Sequence, residues 1–284
     1  MPEEKSKNMK RIFFLFILTS LYLALPAQTP ADSIALTQAP WETVVEQTGL
    51  QVVKASLSLY SSTQRIYLAE ADPACFEMKL VPFRKRQTVA SAARNSNIAI
   101  AVNGSFFDTD TSQAVPANYL KSGGWAYTTW NKGAYDGAVG LDESGMPEFR
   151  KWRRTPADSV WQAQFEEVIV AGPLLILDKE IQIHRTDTPE ERAPRTAIGQ
   201  KADGTFVFFA VDGRQKGADG MTLRELAFVI QWLGCVQALN LDGGGSTTFW
   251  VDEKGTVNKP SDKVLFLRMP RAVANMVTLV ARDQ

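Results

Sequence analysis

The stretch TLRELAFVIQWLGCVQALNLDGGGSTT, Thr222–Thr248, holds a capped helix, a buried strand and a glycine loop in direct succession. Thr222 and Glu225 have the T-x-x-E spacing of a capping box, and Leu223, Leu226, Ala227, Ile230 and Leu233 recur at helical intervals until Gly234. This predicts a helix from about Leu223 to Leu233. Val236, Ala238, Leu239 and Leu241 then suit a short buried strand that delivers Asp242 to a loop at its carboxyl end. The loop places three glycines between a carboxylate and three hydroxyls, Ser246, Thr247 and Thr248, so backbone N–H groups can approach an anionic ligand unobstructed. A nucleotide P-loop would need Gly-Lys-Ser/Thr opening a helix; here no Lys precedes Ser246, and Thr248–Val251 reads as a strand. A tight hairpin turn, the plainer reading, needs one or two glycines rather than three.

Outward from this stretch, the rest of the chain narrows the chemistry. Lys10 and Arg11 precede an apolar run, Ile12–Leu25, followed by Pro26, Ala27, Gln28 and Thr29. That is the pattern of a signal peptide over residues 1–27, with an exported, periplasmic or extracellular product beginning near Gln28; an uncleaved anchor is the alternative. No Cys stands at lipobox distance. Acidic and basic residues balance at 31 each, which implies no polyanion-binding field and argues against a nucleic-acid partner. With no internal repeat or long linker, one domain over 28–284 is expected, a β-rich part over 28–96 leading into a core over 97–284. Cys75 and Cys235 are the only thiols; they can pair in an oxidising compartment, or Cys235 can be a buried free thiol. His184 is the single histidine, so serine triads and histidine-rich zinc sites would all have to use it. The chemistry must come from carboxylates, arginines, hydroxyls and amides.

Val52–Tyr60, Arg65–Glu70 and Phe76–Val81 read as an early meander, Thr88–Asn95 as a short helix and Ile98–Val102 as a buried strand. Gln113–Lys132, with Trp125, Tyr127 and Trp130, reads as an aromatic loop that can rim a sugar site or simply pack. Glu167–Val170, Leu174–Leu177 and Phe206–Val211 are further strands, and Thr186–Arg192 is an exposed loop. Strands with few helices make the fold α+β, a mixed β-sheet core with a polar crevice formed by strand-end loops.

Three loops share one grammar, an apolar strand followed by a polar side chain and glycine: Asn103-Gly104-Ser105, Asp212-Gly213-Arg214 and Asp242-Gly243-Gly244-Gly245-Ser246. From neighbouring strands of one sheet they would converge into a crevice at its edge. Arg195 and Arg214 would supply two guanidinium forks suited to phosphate. Alone, Asp-Gly is a turn and an arginine a surface ion pair; the repetition carries the argument.

These loops, together with Ala171-Gly172-Pro173-Leu174-Leu175, Arg195-Thr196-Ala197-Ile198-Gly199, Gly220-Met221-Thr222-Leu223, Asn240–Thr247, Val257–Asp262 and Arg271–Asn275, resemble the phosphodiester glycosidase family from about Asn97 onward. The resemblance implies hydrolysis of a sugar-1-phosphodiester, of the N-acetylglucosamine kind, to free sugar and phosphomonoester. Arg195 and Arg214, with the amides of Gly243–Ser246, would then hold the phosphate. Asp212 and Asp242 are the candidates to stabilise or attack an oxocarbenium-like centre or to activate water. Asn103, Gly104, Ser105, Thr196, Ser246, Thr247 and Asn258 would contact sugar or phosphate. No cofactor is implied, although Asp212 and Asp242 could share a divalent cation. A non-catalytic exported glycan-binding protein would use the same crevice without turnover.

Overall fold

The structure, a computed structural model, describes residues 30–94, 96–128, 135–183 and 191–282. The leader over 1–27, Trp130, His184 and most of the expected loop Thr186–Arg192 lie outside the described residues. In chain order the elements begin with α1 (Pro30–Thr37), β1 (Glu42–Gln47), β2 (Leu50–Leu59), β3 (Ser62–Ala71), β4 (Phe76–Gln87), α2 (Val89–Ala93) and β5 (Ile98–Asn103). Then come β6 (Leu120–Ser122), β7 (Trp125–Thr128), β8 (Gly137–Leu141), β9 (Pro147–Lys151), α3 (Pro156–Gln162), β10 (Glu167–Ala171), β11 (Leu174–Leu177) and β12 (Glu180–Ile181). The remainder is β13 (Arg195–Lys201), β14 (Phe206–Val211), α4 (Leu223–Trp232), β15 (Cys235–Asn240), β16 (Phe249–Val251), β17 (Gly255–Thr256), β18 (Lys263–Val264), β19 (Leu267–Arg268) and β20 (Val273–Ala281).

The fold is α+β, and β14 shows how its layers arise. Every residue of Phe206–Val211 is buried, and the period-2 alternation divides them between two apolar layers. Val207, Phe209 and Val211 join Leu226, Ala227, Val229 and Ile230 of α4 on one face of an eight-stranded sheet, ordered β1-β2-β3-β14-β13-β15-β11-β12. Phe206, Phe208 and Ala210 face the other way, toward Ile100, Val102, Val277 and Leu279 of a five-stranded sheet ordered β17-β16-β5-β20-β4. A second five-stranded sheet, β7-β6-β10-β8-β9, shares that layer through Leu120, Val139, Leu141 and Ile169. Each fully buried Leu, Ile or Val of these layers contributes roughly 1.5–3 kcal/mol. Helix α4 has the expected start: the Glu225 amide donates to Thr222 Oγ1 at 3.1 Å and the Thr222 amide donates to Glu225 Oε2 at 2.9 Å. Gly234, at φ 93°, lets the chain leave the helix for β15.

Topology places the site. β13 is antiparallel to both β14 and β15, so these two run side by side in direction and end at the edge where β13 begins. Asp212, Asp242 and Arg195 therefore share one end of the sheet. The condition that all three strand-end loops hang from one sheet is not met, because β5 belongs to the neighbouring five-stranded sheet. Period-2 patterning marks a buried strand but carries no partner, so it could not assign β5 to a sheet. The aromatic segment around Trp125 forms a hairpin, β6 and β7, at an outer sheet edge rather than a loop; three- and four-residue strands leave little alternation to read. The two cysteines are free thiols, with Cys235 buried in β15 and pushed up to about 12 by that burial.

Candidate functional site

Asn103 joins the two sheets at the crevice. Its Nδ2 donates to the Asp242 carbonyl at 2.7 Å, and its Oδ1 accepts from Thr196 Oγ1 at 2.8 Å and from the Thr248 amide at 3.1 Å. The Asp242 amide donates to the Gly104 carbonyl at 3.0 Å, and the Gly104 amide donates to the Asn275 carbonyl at 3.0 Å. A Cβ at Gly104 would meet Asn275 Oδ1 at 1.9 Å, so β5 can close on β20 here only through glycine. Ser105 is held by the same side chain, its amide donating to Asn275 Oδ1 at 2.8 Å. The Asn103 loop thus supports the Asp242 loop from beneath.

Asp242 itself is half-buried, and its Oδ1 accepts the Gly243 amide at 2.9 Å. Burial pushes its pKa up to about 6, against the opposing pull of the Ser246 hydroxyl, the Arg271 charge and the Gly243 amide. Such a carboxyl exchanges a proton near neutral pH. Asp212 has no exposed surface. Its Oδ2 accepts from Arg65 Nη1 at 3.2 Å and Tyr67 Oη at 3.1 Å; its Oδ1 accepts from the Lys259 amide at 2.9 Å and Asn258 Nδ2 at 3.4 Å. Burial outweighs these donors and holds its pKa above the usual carboxylate range. Asn258, buried beneath the loop, also donates to the Thr247 carbonyl at 3.0 Å and accepts the Phe249 amide at 2.7 Å. Asp212, Asn258 and the 247–249 backbone form one polar network under the crevice.

Most glycine-loop amides have internal partners, which corrects the expected cradle. Gly243 donates to its own Asp242, Gly244 to the Pro194 carbonyl at 2.8 Å, Ser246 to the Gly243 carbonyl at 3.1 Å and Thr247 to the Gly244 carbonyl at 3.3 Å. The glycines serve close packing instead: a Cβ at Gly243 would meet the Pro194 carbonyl at 2.7 Å, and one at Gly245 would meet Asp262 Oδ1 at 2.0 Å and Arg271 Nη2 at 2.2 Å. Positive charge comes from side chains. Arg195 Nε donates to the Met221 carbonyl at 2.9 Å and its Nη2 to the Glu191 carbonyl at 3.0 Å, which fixes the guanidinium plane. Burial first, and then the charge of Arg214, lower the Arg195 pKa to about 10. Two like charges held this close suit an anion that neutralises both. Arg214, at φ 56°, pairs with exposed Glu191 at 2.9 Å, a surface contact that an anionic ligand can replace.

Three groups had no role in the sequence reading. Arg271 holds Asp262 through Nε at 2.8 Å and Nη2 at 3.2 Å, and its Nη1 reaches Ser246 Oγ at 3.4 Å, adding a third cation beside Asp242. Tyr135 stacks on Phe106 with ring centroids 4.2 Å apart, and burial with the Asp242 charge raises its pKa. The third is Asn118, fully buried with neither Nδ2 nor Oδ1 hydrogen-bonded. Asn118 lies in the short segment between the Phe107↔Pro116 bridge and β6, two residues before Leu120 pairs with Ile169. Only the fold could reveal these groups, since burial and the approach of Arg271 and Tyr135 to Asp242 leave no local pattern in the sequence.

A cation shared by Asp212 and Asp242 finds a poor set of ligands. The two Asp212 oxygens already accept four donors, and no group of three or more His, Cys, Asp or Glu suited to a metal occurs among the described residues.

A family model described as phosphodiester glycosidase matches residues 96–280. The chain is 30% identical over 204 residues to the SPbeta prophage-derived uncharacterized protein YomE of Bacillus subtilis (strain 168), a match covering 70% of this chain and 30% of that protein. It is 28% identical over 212 residues to the N-acetylglucosamine-1-phosphodiester alpha-N-acetylglucosaminidase of Bos taurus, covering 68% of this chain and 39% of that enzyme. The matched part thus spans well under half the length of these relatives. The solved catalytic domain of the zebrafish enzyme of that name, auto-inhibited by its pro-peptide, superposes with a TM-score of 0.66 at 21% identity, covering 86% of this chain and 87% of that one. At that identity the likeness establishes the fold.

Proposed function

The chain belongs to the phosphodiester glycosidase family, and on that premise we propose that it hydrolyses a sugar-1-phosphodiester, of the N-acetylglucosamine type, to free sugar and a phosphomonoester. The observation that carries this reading is a half-buried carboxyl near pKa 6 whose glycine loop is flanked by three arginines, Arg195, Arg214 and Arg271. Water adds at sugar C1, the bond from C1 to the bridging oxygen breaks, and that oxygen leaves with the phosphate. The departing phosphomonoester has a second pKa of about 6, so it needs little protonation. Arg195 and Arg214 neutralise its charge, the part an acid carboxyl plays in an ordinary glycosidase.

Asp242 is the group that attacks C1 or takes the proton of the incoming water. Asp212 positions Asn258 and the loop beneath it. The Phe106–Tyr135 stack offers a face to the sugar. Residues 1–27 are read as an export signal, which places the enzyme in the periplasm or outside the cell; no helix among the described residues is long and apolar enough to cross a membrane.

The test is product analysis on a panel of α-sugar-1-phosphodiesters. Free sugar is the expected product. Sugar phosphate would mean cleavage at phosphorus and sink the reading, while tight binding without any product would favour a glycan-binding protein.

A further inference from the structure

Beside the crevice a two-stranded hairpin, β18 and β19, projects Leu265, Phe266 and Leu267, which are 88%, 97% and 70% exposed, with Met269 following at 47%. Lys263 pairs with Arg268 and Val264 with Leu267, so Leu265 and Phe266 form the turn. Leu265 sits at φ 56°, a conformation that a two-residue turn normally gives to Gly or Asn. A bulky apolar residue there costs stability and solubility together, and such a cost at an exposed position points to function.

The surroundings select the partner. Lys263 and Arg268 flank the tip, Lys259 lies on the adjoining segment, and the sequence from Lys263 to Arg282 contains no carboxylate. The root of the hairpin carries Asp262, whose partner Arg271 reaches Ser246 in the Asp242 loop; Arg268 Nη1 is fixed by the Pro260 carbonyl at 3.2 Å and the Ser261 carbonyl at 3.3 Å. Three tip side chains offer on the order of a few hundred Å². A stable contact with another protein buries about 800 Å² per partner, whereas insertion into a lipid surface needs no matching face.

We propose that the Leu265–Leu267 tip inserts into an anionic lipid surface, with Lys259, Lys263 and Arg268 against the headgroups, so that the crevice addresses sugar phosphodiesters whose second ester is a lipid. The membrane contact stands on the hairpin alone; the lipid-linked substrate class rests on the function proposed above.

The experiment labels Phe266→Cys in the full chain with an environment-sensitive dye, using the dye-treated parent as the background for Cys75 and Cys235. Vesicles of phosphatidylcholine mixed with phosphatidylglycerol should shift the emission to the blue and raise it, while phosphatidylcholine alone should do so weakly. Lys259→Gln and Lys263→Gln should each weaken the response by about fivefold. Leu265→Ser with Leu267→Ser should abolish the response in the labelled chain, and in the unlabelled chain should leave turnover of a water-soluble sugar-1-phosphodiester unchanged. No shift with either vesicle, or a shift that needs only higher protein concentration and no lipid, overturns the proposal; the second result would make the tip a contact between copies. If the dye responds but no phosphodiester is cleaved, the membrane contact stands and the glycosidase reading falls.

Discussion

Asp212 and Asp242 leave the same edge of one sheet, each after an apolar strand and each followed by glycine, yet their surroundings differ in kind. Asp212 is sealed, with four donors on two oxygens drawn from β3, from Asn258 and from the backbone at Lys259. Asp242 is half-buried, with the Gly243 amide and the Ser246 hydroxyl as its donors and a pKa near 6. The same Asp-Gly grammar thus yields a sealed carboxyl in one place and a less committed one in the other, because distant residues decide how many lone pairs remain free.

The comparison breaks most sharply on Asp242→Asn. Turnover should fall about 10³-fold, a typical loss for a general base or nucleophile, with circular dichroism showing an intact fold. Retained turnover would remove Asp242 from the chemistry. Asp212→Ala should act on the other axis, lowering unfolding free energy by about 3–5 kcal/mol in urea titration, since it strands Arg65, Tyr67 and Asn258. If Asp212→Ala proves as stable as the parent but inactive, the roles assigned to the two carboxylates are reversed.

Acid titration sharpens the contrast. The Asp242 pKa is raised from 3.8 to about 6 on folding, so between those values the folded state binds more protons than the unfolded state. Unfolding free energy therefore falls as pH rises from about 4 to about 6, by on the order of 3 kcal/mol, and the upward shift at Asp212 adds in the same direction. Asp242→Asn should flatten this slope in pH-dependent urea melts. Activity should run opposite, with kcat/KM rising through about pH 6 as the working carboxylate forms.

Smaller effects probe the rim. Arg214→Gln should raise KM about tenfold and weaken the dependence of KM on salt, which steady-state kinetics at two ionic strengths would show. Asn118→Leu removes an uncommitted buried amide and should stabilise the chain by about 1 kcal/mol in urea titration. Lower stability would show that the amide is hydrogen-bonded in the folded protein.

Much of the frame could be read from residues near one another in sequence. The capping box at Thr222, the alternation of Phe206–Val211 and the strand before Asp242 all concern neighbours, and the structure has them where the patterns put them. The three candidate strand-end loops do meet in the structure. What surrounds each carboxyl was not legible. Arg65 and Tyr67 reach Asp212 across 147 and 145 residues, and Asn275 closes on Ser105 across 170. The three glycines looked like an opening for an anion, because sequence shows a missing side chain but not what occupies its place.

Gly245 carries the last consequence. The place its Cβ would take belongs to Asp262 Oδ1 and Arg271 Nη2, so a side chain there has to displace an ion pair formed seventeen and twenty-six positions downstream. In an evolving lineage these three sites are one character: a descendant that loses the pair is free to gain a side chain at 245, and one that keeps it is not.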